Sequence, residues 1–275
     1  MRPTALLCLL LVHLACPAWD VRDNWADVVL AQWRARKPLP AISALERNLN
    51  LEDAYGIQQR VVGELARQTP ITGYRSDLTS PLARARLHGD GPIAAAVLKD
   101  QVLADGGWVT LDPKSRMLLA PALGYTLARR VSKPLADARE VLPLVEAVKP
   151  VVVLVDYRFE DLALPRVQDL VAANGAPSRV IVGPAFSGEA KASIDETFVE
   201  LRRNDAIIDR GKATNAMGGQ LEALRWLIND RLARGWDLAP GQLLVTGPIS
   251  EPLPAETGDY LVDYWERGKL RFSLD

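Results

Sequence analysis

Lys149-Pro150-Val151-Val152-Val153-Leu154-Val155-Asp156-Tyr157-Arg158 decides the fold class. It holds an unbroken apolar run, Val151 to Val155, that is mostly valine. β-Branched side chains favour extended backbone, and a run without polar alternation predicts a strand covered on both faces. Upstream, residues 117–131 read as another long β segment. Pro121 removes a backbone donor from it, which predicts an edge or a bulge at that point. Between the two, residues 137–148 read as a short helix capped by Asp137. Downstream, a helix from Pro165 stops at Asn174-Gly175, residues that accept the left-handed backbone of a helix end. Further strands are predicted over 179–186, 197–209, 242–245 and 259–274. Leu221, Leu224, Leu227, Ile228 and Leu232 place an amphipathic helix over 220–234.

The N-terminal part has a different texture. Trp25, Val28, Val29 and Trp33 recur at helical spacing over 20–36, and Lys37-Pro38-Leu39-Pro40 ends that helix. Asn50 caps the next one, with Asp53 at its third position and Ala54, Ile57, Val61 and Leu65 on one stripe. Gln58 and Gln59 near its middle read as solvated or packing residues. From Ile71 the chain turns to strands: a glycine-punctuated one over 71–80, then a turn at 105–107 before another over 108–111. Non-local strands with helices at one end or face predict an α+β fold, a mixed β-sheet roll with an N-terminal helical region.

The chain has 275 residues, 48% hydrophobic and 24% charged, with a formal net charge of −1. That balance argues against a general nucleic-acid binder, which needs a basic field. No G-x-G-x-x-G or phosphate-binding loop G-x-x-x-x-G-K-[ST] occurs, so nucleotide binding has no support. Arg2, the apolar stretch 5–14 and Cys16-Pro17-Ala18 read as a secretory signal over 1–18, too short for a membrane span. The expected organisation is therefore signal peptide 1–18, helical region 19–70 and main domain 71–275, in a periplasmic or secreted protein. Both cysteines, Cys8 and Cys16, lie within that signal, which leaves a mature chain without thiols. His88, in a turn-rich segment, is the one histidine beyond it and reads as an exposed loop residue.

The order of segments from about residue 50 onward resembles the 2-keto-4-pentenoate hydratase branch of the fumarylacetoacetate hydrolase superfamily. Asp53-Ala54-Tyr55-Gly56-Ile57-Gln58-Gln59 is similar to that family's A-Y-x-I-Q helix, and Gly73-Tyr74-Arg75-Ser76-Asp77-Leu78-Thr79-Ser80 to its G-Y-K-I-G-L-T-S. Asp156-Tyr157-Arg158 resembles D-S-R, and the segment Asp169 to Asn174 resembles D-x-V-A-D-N. Met217-Gly218-Gly219-Gln220-Leu221 with Trp226-Leu227, and the segment Gly241 to Gly247, continue the likeness.

The resemblance implies a hydro-lyase that holds Mg²⁺ or Mn²⁺ through an E-x-E pair and a third carboxylate, the metal chelating a 2-oxo acid. Carried over residue by residue, the E-x-E falls on Ala120-Pro121-Ala122 and the third carboxylate on Val153. These side chains have no oxygen to offer a hard cation. The resemblance therefore implies a lost metal site, and no metal cofactor is expected. The family's lysine is Arg75, which stays charged and makes a poor proton shuttle.

The candidate catalytic residues are Arg75, Asp77 and Asp156. The candidate substrate-binding residues are Arg158, Asn174, Thr79, Ser80 and Thr246. They suit either a binder that clamps a small carboxylic acid between Arg75 and Arg158, or a metal-independent hydratase or lyase using Asp77 or Asp156 as general acid/base. In the plainer reading of the arginines, both pair with Asp77 and Asp156 as structural ion pairs; a separate alternative is a structural or partner-binding envelope protein with a vestigial pocket. Homo-oligomers are known in the family, and that expectation extends to this chain.

Overall fold

A computed structural model describes residues 21–161, 165–187 and 193–275. The signal-peptide reading of 1–18 lies outside the described residues. The chain begins with helices α1 (Val21–Ala35), α2 (Ile42–Leu45) and α3 (Leu51–Ala66). α3 starts where its cap predicts: the Asp53 N–H donates to the Asn50 side chain at 2.9 Å. The chain then runs through β1 (Ile71–Asp77), α4 (Pro81–Arg86), β2 (Ile93–Leu98), β3 (Val102–Ala104), β4 (Gly107–Val109) and β5 (Met117–Leu127). After β6 (Val145–Asp156) come α5 (Val167–Ala172), β7 (Ser178–Val182), β8 (Phe198–Arg203), β9 (Ala206–Lys212) and α6 (Gln220–Ala233). The remaining strands are β10 (Leu243–Thr246), β11 (Leu253–Pro254), β12 (Gly258–Asp263) and β13 (Lys269–Leu274).

Among the described residues these strands form two sheets. The larger has eight strands in the order β2-β1-β10-β5-β6-β7-β3, with β11 added alongside β5. The smaller is β4-β13-β12-β8-β9. Helices and a mixed, partly parallel sheet agree with the α+β expectation.

Three segments differ from their sequence reading, one of them being 259–274, which is two antiparallel strands, β12 and β13, rather than one. Residues 137–148 are not one helix: a 3₁₀ stretch over Ala138–Leu144 contains Pro143, and Val145 already belongs to β6. Proline inside the stretch denies it a continuing helical ladder. The expected strand over 197–209 is a hairpin. Asn204 and Asp205 both take positive φ, 47° and 65°, the backbone a tight two-residue turn requires.

β5 and β6 form the spine, paired antiparallel from Met117↔Asp156 to Leu127↔Val145. Pro121 sits inside this central strand, yet its missing donor costs nothing. On that flank β10 pairs with Leu123 to Thr126 and β11 with Leu118 and Leu119, which leaves 120–122 without a strand partner. The Ile249 N–H fills the gap by donating to the Pro121 carbonyl at 2.9 Å. The predicted edge is thus local, a window in an interior strand, and the register shift lies at Thr126/Leu127 instead.

One core joins Leu123, Tyr125, Val152 and Leu154 of the large sheet to Leu224, Leu227 and Ile228 of α6 and to Tyr260 and Phe272 of the small sheet. A second joins α1 and α3 to α5. Burying each such aliphatic side chain is worth about 1.5–3 kcal/mol. Between α6, α3 and β1 lies Arg231, fully buried. It pairs with Asp230 at 2.5 Å, donates to Gln58 Oε1 at 3.3 Å and stands 5.4 and 5.9 Å from the rings of Tyr55 and Tyr74. Gln58 is therefore no solvated residue: its amide also donates to the Ala94 and Val171 carbonyls at 2.9 and 3.1 Å.

Candidate ligand-binding cavity

On the other face of the β5–β6 spine the sheet leaves a cavity of about 350 Å³, at the small end of the roughly 300–1,000 Å³ typical of ligand pockets. Side chains two apart share a face of a strand, and Ala120 lies directly opposite Val153. Ala120, Ala122 and Val153 are thereby brought onto one wall, and all three line the cavity. Their surfaces are carbon alone, so they do not fit a hard divalent cation. Among the described residues no group of three or more His, Cys, Asp or Glu is placed to hold a metal.

The end of β1 supplies the polar part of the wall, through Ser76 and Asp77. Arg75 lies behind Asp77 rather than on the wall. Its Nη1 donates to Asp77 Oδ2, and its Nη2 donates to the Gly175 carbonyl at 2.8 Å. Burial pushes the Asp77 carboxyl above the usual carboxylate range, while the Arg75 charge and hydrogen bond pull against that rise. Gly175 presses against this pair. Its φ is +68°, and a Cβ there would lie 2.5 Å from Arg75 Nη2 and 2.8 Å from Asp77 Oδ2. Glycine is needed twice over. Gly247 completes the wall beside Ala122, where an added Cβ would come within 3.0 Å of the alanine Cβ.

Arg86 of α4, which is exposed, and the half-buried Glu251 stand at the outer edge of the lining and pair at 3.4 Å. Ser80 organises this side. Its hydroxyl accepts from the Ala83 N–H at 3.1 Å as the cap of α4 and donates to Glu251 Oε1 at 3.0 Å.

The remaining sequence candidates are placed elsewhere. Val153 and Val155 line the cavity, so the two-residue period turns Asp156 at the end of β6 to the opposite side, and Arg158, beyond the strand, pairs with it there. There Arg158 Nη2 lies 2.6 Å from Asp156 and 3.0 Å from Asp112, and Nη1 donates to the Arg36 carbonyl. Asn174, at φ 50°, exchanges hydrogen bonds with Ala96, accepting from its N–H at 2.8 Å and donating to its carbonyl at 3.0 Å. Its amide stands in for a missing neighbour on edge strand β2. The Thr246 hydroxyl donates to Gln220 Oε1, which also accepts from Tyr125 at 2.9 Å. Thr79 is buried, with a hydroxyl that has no protein partner, and is not on the wall. Of the candidates, then, only Asp77 lines the cavity, with Arg75 immediately behind it.

Sequence reasoning did not single out Gly175, Tyr157, Arg86 or Glu251. Gly175 carried a usable signal as the residue after a helix-ending asparagine. Arg86 and Glu251 carried none, being 165 residues apart. Tyr264 is another omission. Its hydroxyl lies 2.8 and 2.7 Å from the Ala122 and Val151 carbonyls and accepts from the Val151 N–H at 3.2 Å, bridging β5 and β6 behind the wall.

No protein-family model matches the chain. Over 244 residues it is 26% identical to the 2-oxo-hept-4-ene-1,7-dioate hydratase of Escherichia coli, covering 86% of this chain and 91% of the relative. It is 24% identical to the 2-keto-4-pentenoate hydratase of Paraburkholderia xenovorans (strain LB400), covering 86% and 88%. The structure of 4-oxalocrotonate decarboxylase from Pseudomonas putida G7, complexed with magnesium and adipate, superposes with a TM-score of 0.85 at 20% identity, over 92% of this chain and 97% of that one. The chain is a homologue of the 2-keto-4-pentenoate hydratases with the fumarylacetoacetate hydrolase fold. Within that frame, the positions to which the resemblance assigns the carboxylates lie together on a cavity wall, as alanines and a valine.

Proposed function

We propose that this hydratase-like protein binds a small organic molecule without the divalent metal that its relatives' fold is built to hold. The observation that supports this reading is the meeting of Ala120, Ala122 and Val153 on the wall of a cavity that remains open. Methyl and isopropyl groups have no lone pair for Mg²⁺ or Mn²⁺, whereas the space for a ligand persists.

A second reading, metal-independent catalysis on a 2-oxo or 2-hydroxydienoic acid, rests on Asp77, a carboxyl group at the cavity wall placed to exchange a proton with a ligand. A divalent ion contributes several kcal/mol of charge stabilisation. Arg75 is a weak replacement, since its guanidinium is already engaged by Asp77 and Gly175. Binding without catalysis is therefore the primary reading. Arg2, the apolar stretch 5–14 and Cys16-Pro17-Ala18 support export as its setting.

Elemental analysis of the purified protein tests the central point. The expected result is no stoichiometric Mg or Mn, with no turnover of 2-hydroxypenta-2,4-dienoate. Stoichiometric metal would overturn the proposal. Metal-free turnover abolished by Asp77→Asn would promote the second reading over the first. N-terminal sequencing of the protein from its own cells should find a chain beginning close to Trp19; an intact Met1 would remove export.

A further inference from the structure

We infer that the cavity selects an electrically neutral molecule, an apolar body with one hydrogen-bond-donating end, in preference to an anionic acid. This rests on the metal-free reading of the same site.

The charges around the cavity carry the argument. A family member that binds a 2-oxo acid through a metal has a cation facing its ligand; here the cations nearby are committed. Arg86 at the outer edge is paired with Glu251 at 3.4 Å. Arg75 is 1% exposed, and its two terminal nitrogens donate to Asp77 and to the Gly175 carbonyl. Between Arg75 and the cavity stands the carboxylate of Asp77 itself. An incoming anion would meet that carboxylate first, at short range and in surroundings of low polarity, where like charges repel strongly.

The inner polar atoms are, by contrast, suited to accept. Asp77 Oδ2 takes the Arg75 hydrogen bond, whereas no hydrogen bond to Oδ1 is found among the described residues, and the side chain retains 18% exposure. Beside it, the Ser76 hydroxyl makes only a long contact of 3.5 Å, to the Val245 carbonyl. A hydroxyl or amide N–H on the ligand satisfies Oδ1, and a ligand carboxylate leaves it unpaired and repelled. Around these acceptors Ala120, Ala122, Val153, Val155 and Leu170 present hydrocarbon, which matches an apolar body.

Benzyl alcohol and benzoate make a matched pair, equal in ring and differing in the charge and hydrogen-bonding sense of the end group. Calorimetric titration of the whole protein with each, with and without added Mg²⁺, should show benzyl alcohol binding at least tenfold more tightly in both conditions. Val153→Phe and Ala83→Phe fill the cavity from two different elements, β6 and α4, and whichever keeps the wild-type urea midpoint should lose at least tenfold in affinity for the alcohol. Equal or tighter binding of benzoate, absence of alcohol binding, or unchanged affinity in the filled variants overturns the inference. The wild-type comparison decides even if both variants fail to fold. Benzoate preference in a protein proven metal-free would sink this inference alone, whereas stoichiometric metal would sink the reading beneath it.

Discussion

Arg75 is buried to 1% exposure, held there by Asp77 and one backbone carbonyl. Removing one member of a buried pair strands the other, at a cost of about 3–5 kcal/mol. Arg75→Met should lose about that much at neutral pH, read from urea unfolding. The sign with pH follows from Asp77. Burial raises its carboxyl in the folded protein, so the folded state binds that proton more tightly than the unfolded chain. The cost of the ionised form is absent below the usual carboxylate range and grows as pH rises through the raised value. Without Arg75 that cost increases, so the deficit of Arg75→Met should shrink as pH falls from neutral toward the usual carboxylate range; a deficit independent of pH would contradict it. At Gly175, alanine meets both a positive φ and the crowded pair. The backbone alone costs about 1–2 kcal/mol, and Gly175→Ala should exceed that while also weakening ligand binding, because the guanidinium must shift.

At the scale of the element, the two-residue period of β5 and β6 decides what faces the cavity. The same period that aligns Ala120, Ala122 and Val153 turns Asp156 away, and Arg158 just beyond the strand pairs with it. Two outcomes follow. Arg158→Ala should lower the urea midpoint, by about 3 kcal/mol of stability since it leaves Asp156 unpaired, with cavity affinity changed less than about twofold by the same placement. Restoring oxygen donors in Ala120→Glu/Ala122→Glu/Val153→Asp should make the melting temperature rise with Mn²⁺, as a native-state ligand requires, where the wild type stays flat. A triple variant indifferent to Mn²⁺ would mean that the carry-over of the family's positions is wrong.

For the whole molecule, the N-terminal helices are joined to the sheets through a polar contact as well as through packing. Arg231 of α6 reaches Gln58 of α3 and lies against Tyr55 and Tyr74, while Gln58 ties α3 to β2 and α5. Shared burial of this kind predicts one cooperative unfolding transition. Tryptophan fluorescence, reporting in part on Trp25 and Trp33 of α1, should coincide with the loss of far-UV circular dichroism. Separate midpoints would show that the helical region unfolds by itself.

Much of this protein was legible in its sequence, for a local reason: periodicity and caps act over a few residues. The apolar run at Val151–Val155 announced a doubly covered strand, Asn50 announced the start of a helix, and Asn174-Gly175 announced an end. The order of motifs pointed to a hydratase-like fold. What the local pattern left undecided was direction and partnership. Asp156 and Arg158 kept the residue types of a family motif, but they pair with each other, and Arg158 also reaches Asp112 and the Arg36 carbonyl. Arg75 read equally as a ligand clamp or as a structural partner of Asp77, and the fold decided for the pair: β1 placed Asp77 in front of it, and the turn after α5 brought Gly175 against both. Only the tertiary structure could decide this, because a charge acts according to what stands within a few ångströms of it, and those neighbours come from up to 122 residues away in the chain.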